Sequence, residues 1–151
     1  MKIALINCSW KHSDYPFKKT YLPTELYGGS MFKLRLTYAK TNCDKIFILS
    51  AKYGLLSLHD TIKPYNVYLK QLSEKEYATW NKKVLQSLSF IQKQDEIILL
   101  CNHNYYDGWI NSIQCKKTFI TKQFKNMFYE RQWLIQQLKS KTNKPRFLED
   151  V

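Results

Sequence analysis

Three short apolar runs stand far apart in the chain: residues 3–6 (IALI), 46–49 (IFIL) and 97–100 (IILL). None alternates with polar residues as a strand with one wet face does. Each therefore predicts a strand buried on both faces, the habit of parallel sheets covered by helices. Each run also stops abruptly. Asn7, Cys8 and Ser9 follow the first, Ser50, Ala51 and Lys52 the second, and Cys101, Asn102 and His103 the third. Ligands of open α/β sheets sit outside the carboxyl ends of the strands, so three apolar runs that turn polar or reactive at once point to one shared pocket.

Helical spacing fills the intervals. Residues 29–40 mix Met31, Phe32, Leu34, Leu36 and Tyr38 with Lys33, Arg35 and Lys40. Ser73 and Glu76 have the spacing of a capping box, and Tyr77, Trp80, Val84, Leu88 and Ile91 then recur at steps of three and four, which predicts a helix over roughly 74–92. A short helix is expected over 105–112, a fourth apolar piece at 118–121, and a last helix over 127–138 that turns Phe128, Trp133, Leu134 and Leu138 towards the sheet. Strands alternating with helices predict a three-layer α/β/α sandwich around a mainly parallel sheet, Rossmann-like, with right-handed crossovers. Residues 1–141 read as one α/β domain and 142–151 as a basic C-terminal tail that a partner would order.

Length changes little in this picture, since 151 residues suit one domain. The first ten residues, MKIALINCSW, hold only four consecutive apolar positions, and no apolar run approaches a membrane span. A soluble cytoplasmic protein without membrane association is the expectation. Cys8, Cys43, Cys101 and Cys115 lie far apart, with no CxxC pair and no histidine at ligand spacing. That argues against structural zinc or a disulfide framework, and neither metal nor cofactor is expected. Charge changes more. Lys and Arg number 24 against 12 Asp and Glu, a net +12 that favours phosphate-bearing partners, with general solubility as the plainer explanation. Tyr21, Tyr53, Tyr65, Tyr68, Tyr105 and Tyr106 are read as interleaved with lysines, a pattern that suits stacked bases, although tyrosine is also an ordinary core residue.

The loop after the first run is long for a strand-to-helix connection. Its Lys11, Lys18 and Lys19 are candidates to meet phosphates, and Gly28, Gly29 and Ser30 either offer backbone N–H groups at a helix start or simply make a turn. Neither a Walker motif nor GxGxxG is present. Cys8 beside Lys11 is a candidate nucleophile or else a small core residue at a strand end. In residues 50–69 Gly54 permits a tight turn, while Tyr53 and Tyr65 are candidates to face the pocket. Asp60 is a candidate general base or stabiliser of a cationic sugar, and its everyday alternative is a cap or a partner of Lys63. His59 and His103 suit proton transfer near neutral pH, but no triad spacing links them or His12.

The stretch LSAKYGLLSLHDTIKPYNVYL resembles the signature of the YaaA peroxide-stress family, through Ser50, Ala51, Tyr53, Gly54, Leu55, Leu56, Asp60, Ile62, Pro64 and Tyr65. A closer likeness is to a compact family of bacterial and phage domains with the same signature. Those also carry C-S-x-x-K and L-Y-x-G-S-x-F, matched here by Cys8, Ser9 and Lys11, then Leu26, Tyr27, Gly29, Ser30 and Phe32. More distantly, the chain is similar to the fold of uracil-DNA glycosylases and, through Lys63, Pro64 and Tyr65, to a domain of archaeosine synthase. The resemblance implies a nucleic-acid-binding protein, an enzyme acting on a nucleobase or N-glycosidic bond. In that scheme Tyr27, Tyr53 or Tyr65 stacks on an extruded base, Ser50 and Asn102 read its edge, and Lys11, Lys52 and Lys63 hold phosphates. Asp60, Cys8 and Lys52 are the catalytic candidates, and Ser9, Gly29, Ser30, Gly54 and His103 join the binding set. The alternatives are a non-catalytic DNA-binding stress or phage factor, and a protein acting on a free nucleotide-derived ligand. DNA against RNA, and the oligomeric state, stay open.

Overall fold

The three apolar runs form adjacent strands. A computed structural model of the chain describes residues 1–9 and 15–142. In chain order the elements are β1 (Lys2–Asn7), α1 (Pro23–Leu26), α2 (Ser30–Asn42), β2 (Lys45–Ser50), β3 (Gly54–Ser57), α3 (Glu74–Ser87), β4 (Glu96–Leu100), β5 (Lys116–Phe119) and α4 (Met127–Thr142). The result is a mixed α/β protein whose single five-stranded sheet runs β3-β2-β1-β4-β5. β1 is parallel to β2 and β4, β4 is parallel to β5, and β3 alone is antiparallel, paired to β2.

Alternation within β1 explains why its run has no polar member. Ile3 and Leu5 join Leu49, Ile97 and Leu99 in a core with Trp80, Val84 and Leu88 of the α3 segment. Ala4 and Ile6 join Ile48, Ile98 and Leu100 in a second core with Phe32, Leu36 and Ala39 of α2. Both faces of the strand are thus dry, and each buried Ile, Leu or Phe side chain contributes about 1.5–3 kcal/mol. The sheet and these two cores fix the strand ends relative to one another.

Several elements differ from the sequence expectation. β3 falls where a loop was expected. Ser50 pairs with Gly54 across a three-residue loop, and Gly54 adopts the left-handed φ of 76° that such a closure favours. α3 stops at Ser87, short of 92, although its capping box is formed as expected. Beyond Leu88 the chain tightens into turns, and the Asp95 carboxylate accepts from the Gln92 N–H at 2.9 Å, a local bond that competes with helix continuation. Residues 105–112 form no α-helix. Two 3₁₀ turns, His103–Tyr105 and Ile110–Ser112, flank Gly108 and Trp109, where glycine's backbone freedom works against helix propagation. α4 runs on to Thr142, and the remainder of the expected tail, 143–151, lies outside the described residues. Among the described residues no helix is long and apolar enough to cross a membrane.

Candidate ligand cleft at the strand ends

Parallel register sets the positions of the reactive residues. Asn7 is level with Leu49, and Ile6 with Leu100, so Cys8, Ser50 and Cys101 emerge side by side at one edge of the sheet. The Cys8 N–H donates to the Leu49 carbonyl at 2.9 Å, extending the ladder one residue past β1. Ser9 Oγ accepts from the Gly29 N–H at 3.1 Å, tying the strand end to the start of α2. Ser30, the first helical residue, is exposed.

Behind this edge lies a chain of hydroxyls. The Tyr27 and Tyr65 oxygens are 2.7 Å apart, Tyr65 is 2.9 Å from Ser50 Oγ, and Ser50 Oγ accepts from the Tyr53 N–H at 3.1 Å. The Tyr53 hydroxyl in turn bonds the Lys63 carbonyl and accepts the Lys63 N–H, both at 3.2 Å. Trp80 Nε1 donates to the Ser50 carbonyl at 2.9 Å, which pins α3 to the end of β2. Tyr105 completes the group, with its hydroxyl 3.5 Å from Cys8 Sγ. Burial pushes the phenols of Tyr27, Tyr65 and Tyr105 well above the ordinary tyrosine value, and the nearby Cys8 sulfur adds to it. All three are neutral hydroxyls at physiological pH. They offer hydrogen bonds and no base.

An open cleft runs in front of the group in two joined compartments that share Lys70, Asn102 and Asn104. The first, about 300 Å³, is lined by Asn7, Cys8, Ser9, Tyr68 and Tyr105. The second, about 420 Å³, is lined by His103, Thr121, Lys122, Lys125 and Glu130. Its wall contains a buried ion pair. Arg35 Nε and Nη2 each donate to a Glu130 carboxylate oxygen at 2.8 Å, with the two side chains 5% and 1% exposed. Thr121 Oγ1 donates to Glu130 at 3.2 Å, and Arg35 Nη1 donates to Asn7 Oδ1 at 3.0 Å. Asn7 Oδ1 also accepts from the Asn102 N–H at 3.3 Å, and its amide donates to the Cys8 carbonyl at 2.9 Å. The ion pair thereby orients the backbone on both sides of the first compartment.

The expected site residues divide. Cys8, Ser9 and Asn102 line the first compartment, and His103 lines the second, where its ring is 2.6 Å from Asp107. Ser50, Tyr53 and Tyr65 stand behind, in the hydroxyl chain. Tyr27 and Tyr65 are only 1% and 3% exposed, so their rings are core and do not present a face to a base. Lys52 is exposed on the α3 side, beside Trp80 and Lys83, and Gly54 is the hairpin glycine. Lys63 is exposed and holds Tyr53 through its backbone. Asp60 is no helix cap: its carboxylate closes the turn after β3, accepting from the Ser57 N–H at 2.8 Å. Ser57 is level with Phe47, three residues before the end of β2, so Asp60 stands apart from the cleft. Lys11 and His12 lie outside the described residues. Sequence reasoning passed over Arg35, Glu130, Lys70, Lys122, Lys125 and the role of Tyr105. The available signal was position for Lys122 and Lys125, which follow β5 where it ends at the same sheet edge, whereas Lys70 follows the antiparallel β3 and had no such signal. Among the described residues no three His, Cys, Asp or Glu gather as metal ligands.

The fold and cleft define an α/β protein with its polar site at the carboxyl ends of parallel strands. The chain belongs to the family of unknown function DUF6884, whose model matches residues 3–140. No curated protein matches it.

Proposed function

We propose that this protein binds nucleic acid and acts on one base, or on its N-glycosidic bond, held in the strand-end cleft. The observation that carries this reading is the rise in positive charge along the cleft, from a compartment with Cys8 and Tyr105 whose one lysine, Lys70, is shared, to an adjoining one bordered also by Lys122 and Lys125. A base is neutral, flat and rich in hydrogen-bonding edges. A phosphate is anionic. Two joined compartments of these characters suit a nucleotide, and their volumes fall in or near the range of about 300–1,000 Å³ usual for small-ligand sites. Extruding the base from a strand costs about a few kcal/mol, offset by contacts in the pocket.

Asn102 and Asn104 read the base edge in this scheme, and Cys8 is the reacting group, a thiol able to form a covalent adduct. Asp60 has no part in it. The strand order, with dry cores on both sheet faces, supports a three-layer α/β/α sandwich, Rossmann-like and similar to uracil-DNA glycosylases. The likeness of residues 49–69 to YaaA peroxide-stress proteins favours the same direction, and a cytoplasmic setting is part of the proposal. A second reading, binding of a free nucleotide-derived ligand, is favoured by the small size of the cleft.

The test measures fluorescence anisotropy with single-stranded DNA, duplex DNA and RNA, followed by mass spectrometry of the nucleosides after incubation. Cys8→Ser should abolish the altered product and leave affinity within about threefold. Wild-type protein that binds no nucleic acid at physiological salt and changes no nucleoside rules the reading out.

A further inference from the structure

The first turn of α4 presents Met127, Phe128 and Tyr129 at 57%, 61% and 52% exposure. The other exposed large apolar residues among those described, Met1, Phe17, Tyr68 and Phe90, stand singly in the sequence. A contiguous exposed apolar group on a protein surface marks an interaction site more often than chance exposure does. The cause of the exposure is local. Glu130 must face inward to meet Arg35, and this fixes the rotation of the helix, leaving the side chains of Phe128 and Tyr129 outside.

The group is also held in place. Asn126 Oδ1 accepts from the N–H groups of Phe128 and Tyr129 at 3.0 and 3.3 Å, capping the helix beneath the two rings. The rings meet edge to face, with centroids 5.6 Å apart. Lys122 and Lys125 precede the turn and Arg131 follows it, and the only carboxylate between residues 121 and 142 is the inward-facing Glu130. Met127 itself lines the lysine compartment, so the aromatic surface continues the cleft.

We infer that this surface is a stacking platform for single-stranded nucleic acid that leads a strand into the cleft. The inference rests on the function proposed above and specifies its substrate as a single strand. Bases stack on aromatic rings irrespective of sequence, while lysines follow the phosphates. A duplex hides its base faces, and a free nucleotide has no flanking base to stack. The amide-rich cleft next to the platform, with Asn102, Asn104 and Asn126, suits base edges better than lipid or an apolar peptide.

The experiment compares wild type with Phe128→Ala/Tyr129→Ala and with Phe128→Trp. The probes are a labelled oligothymidylate of about ten nucleotides, thymidine monophosphate and anionic phosphatidylserine vesicles. The double variant should lose about tenfold or more in oligonucleotide affinity, keep its thymidine monophosphate affinity, and gain nothing on vesicles. Phe128→Trp should match or exceed wild type. Since both rings are exposed, circular dichroism should be unchanged. Unaltered oligonucleotide binding by the double variant, or loss of vesicle binding instead, overturns the platform. Persistent mononucleotide binding in that event leaves the cleft reading intact, whereas absence of binding to every nucleotide probe removes the reading itself.

Discussion

The four cysteines differ by their surroundings more than by their chemistry. Cys101 is 1% exposed, and burial pushes its thiol far up. Burial pushes Cys43 up to about 11 from an ordinary 9.0, with Lys2 opposing and Asp44 and Glu96 assisting, and it raises Cys115 as well. A two-unit rise leaves Cys43 with about a hundredfold less thiolate near pH 8, and the thiolate is the nucleophile. Cys8 lines the open cleft. Iodoacetamide at pH 8 should therefore label Cys8 first, as read by peptide mapping, with Cys43 gaining only as pH climbs towards 11. Equal early labelling of Cys43 or Cys101 would contradict the strand-end geometry. The position of Cys8 was legible because an uninterrupted apolar run has to end somewhere. The role of Tyr105 was not, because nothing in NHNYYDGW distinguishes the tyrosine whose hydroxyl reaches across to β1 from its neighbour Tyr106, which packs into the core.

Elements were legible in proportion to how one-sided their demands are. β1 and β4 are dry on both faces, β2 is so in its second half, and each says so in four letters. β3 is four residues long with a single apolar pair, Leu55 and Leu56, and its strand character comes from pairing with β2, which local sequence does not encode. α4 shows the opposite failure. Phe128 reads as core, yet the structure exposes it and buries Glu130 instead, because a carboxylate with a bidentate arginine partner is stable where an unpaired one is not. This pair joins α2 to α4 on one face of the sheet. Glu130→Ala should cost about 3–5 kcal/mol in urea denaturation, since it leaves the Arg35 guanidinium buried without its partner. The double replacement Arg35→Met/Glu130→Met should cost less than either single change to alanine. A cost under about 1 kcal/mol for Glu130→Ala would mean that water reaches the pair and that it does not hold the helices together.

At the scale of the molecule, a net charge of +12 is a property of composition until its geometry is known. Lysines stand at both edges of the sheet. Lys45 and Lys116 begin β2 and β5 at the amino edge, while Lys70, Lys122 and Lys125 line the cleft at the carboxyl edge. A general solubility charge treats both sets alike. A nucleic-acid site does not. Each phosphate neutralised on a single strand adds about 0.7 to the magnitude of the slope of log affinity against log salt. Lys122→Gln/Lys125→Gln should therefore flatten the slope for an oligonucleotide by about 1.4, if both lysines meet phosphates. Lys45→Gln/Lys116→Gln removes the same charge from the opposite edge and should leave the slope nearly unchanged. Anisotropy titrations across a series of salt concentrations measure both. Equal flattening by the two pairs would show that the strand feels only overall charge, and the cleft would lose its claim to the phosphates.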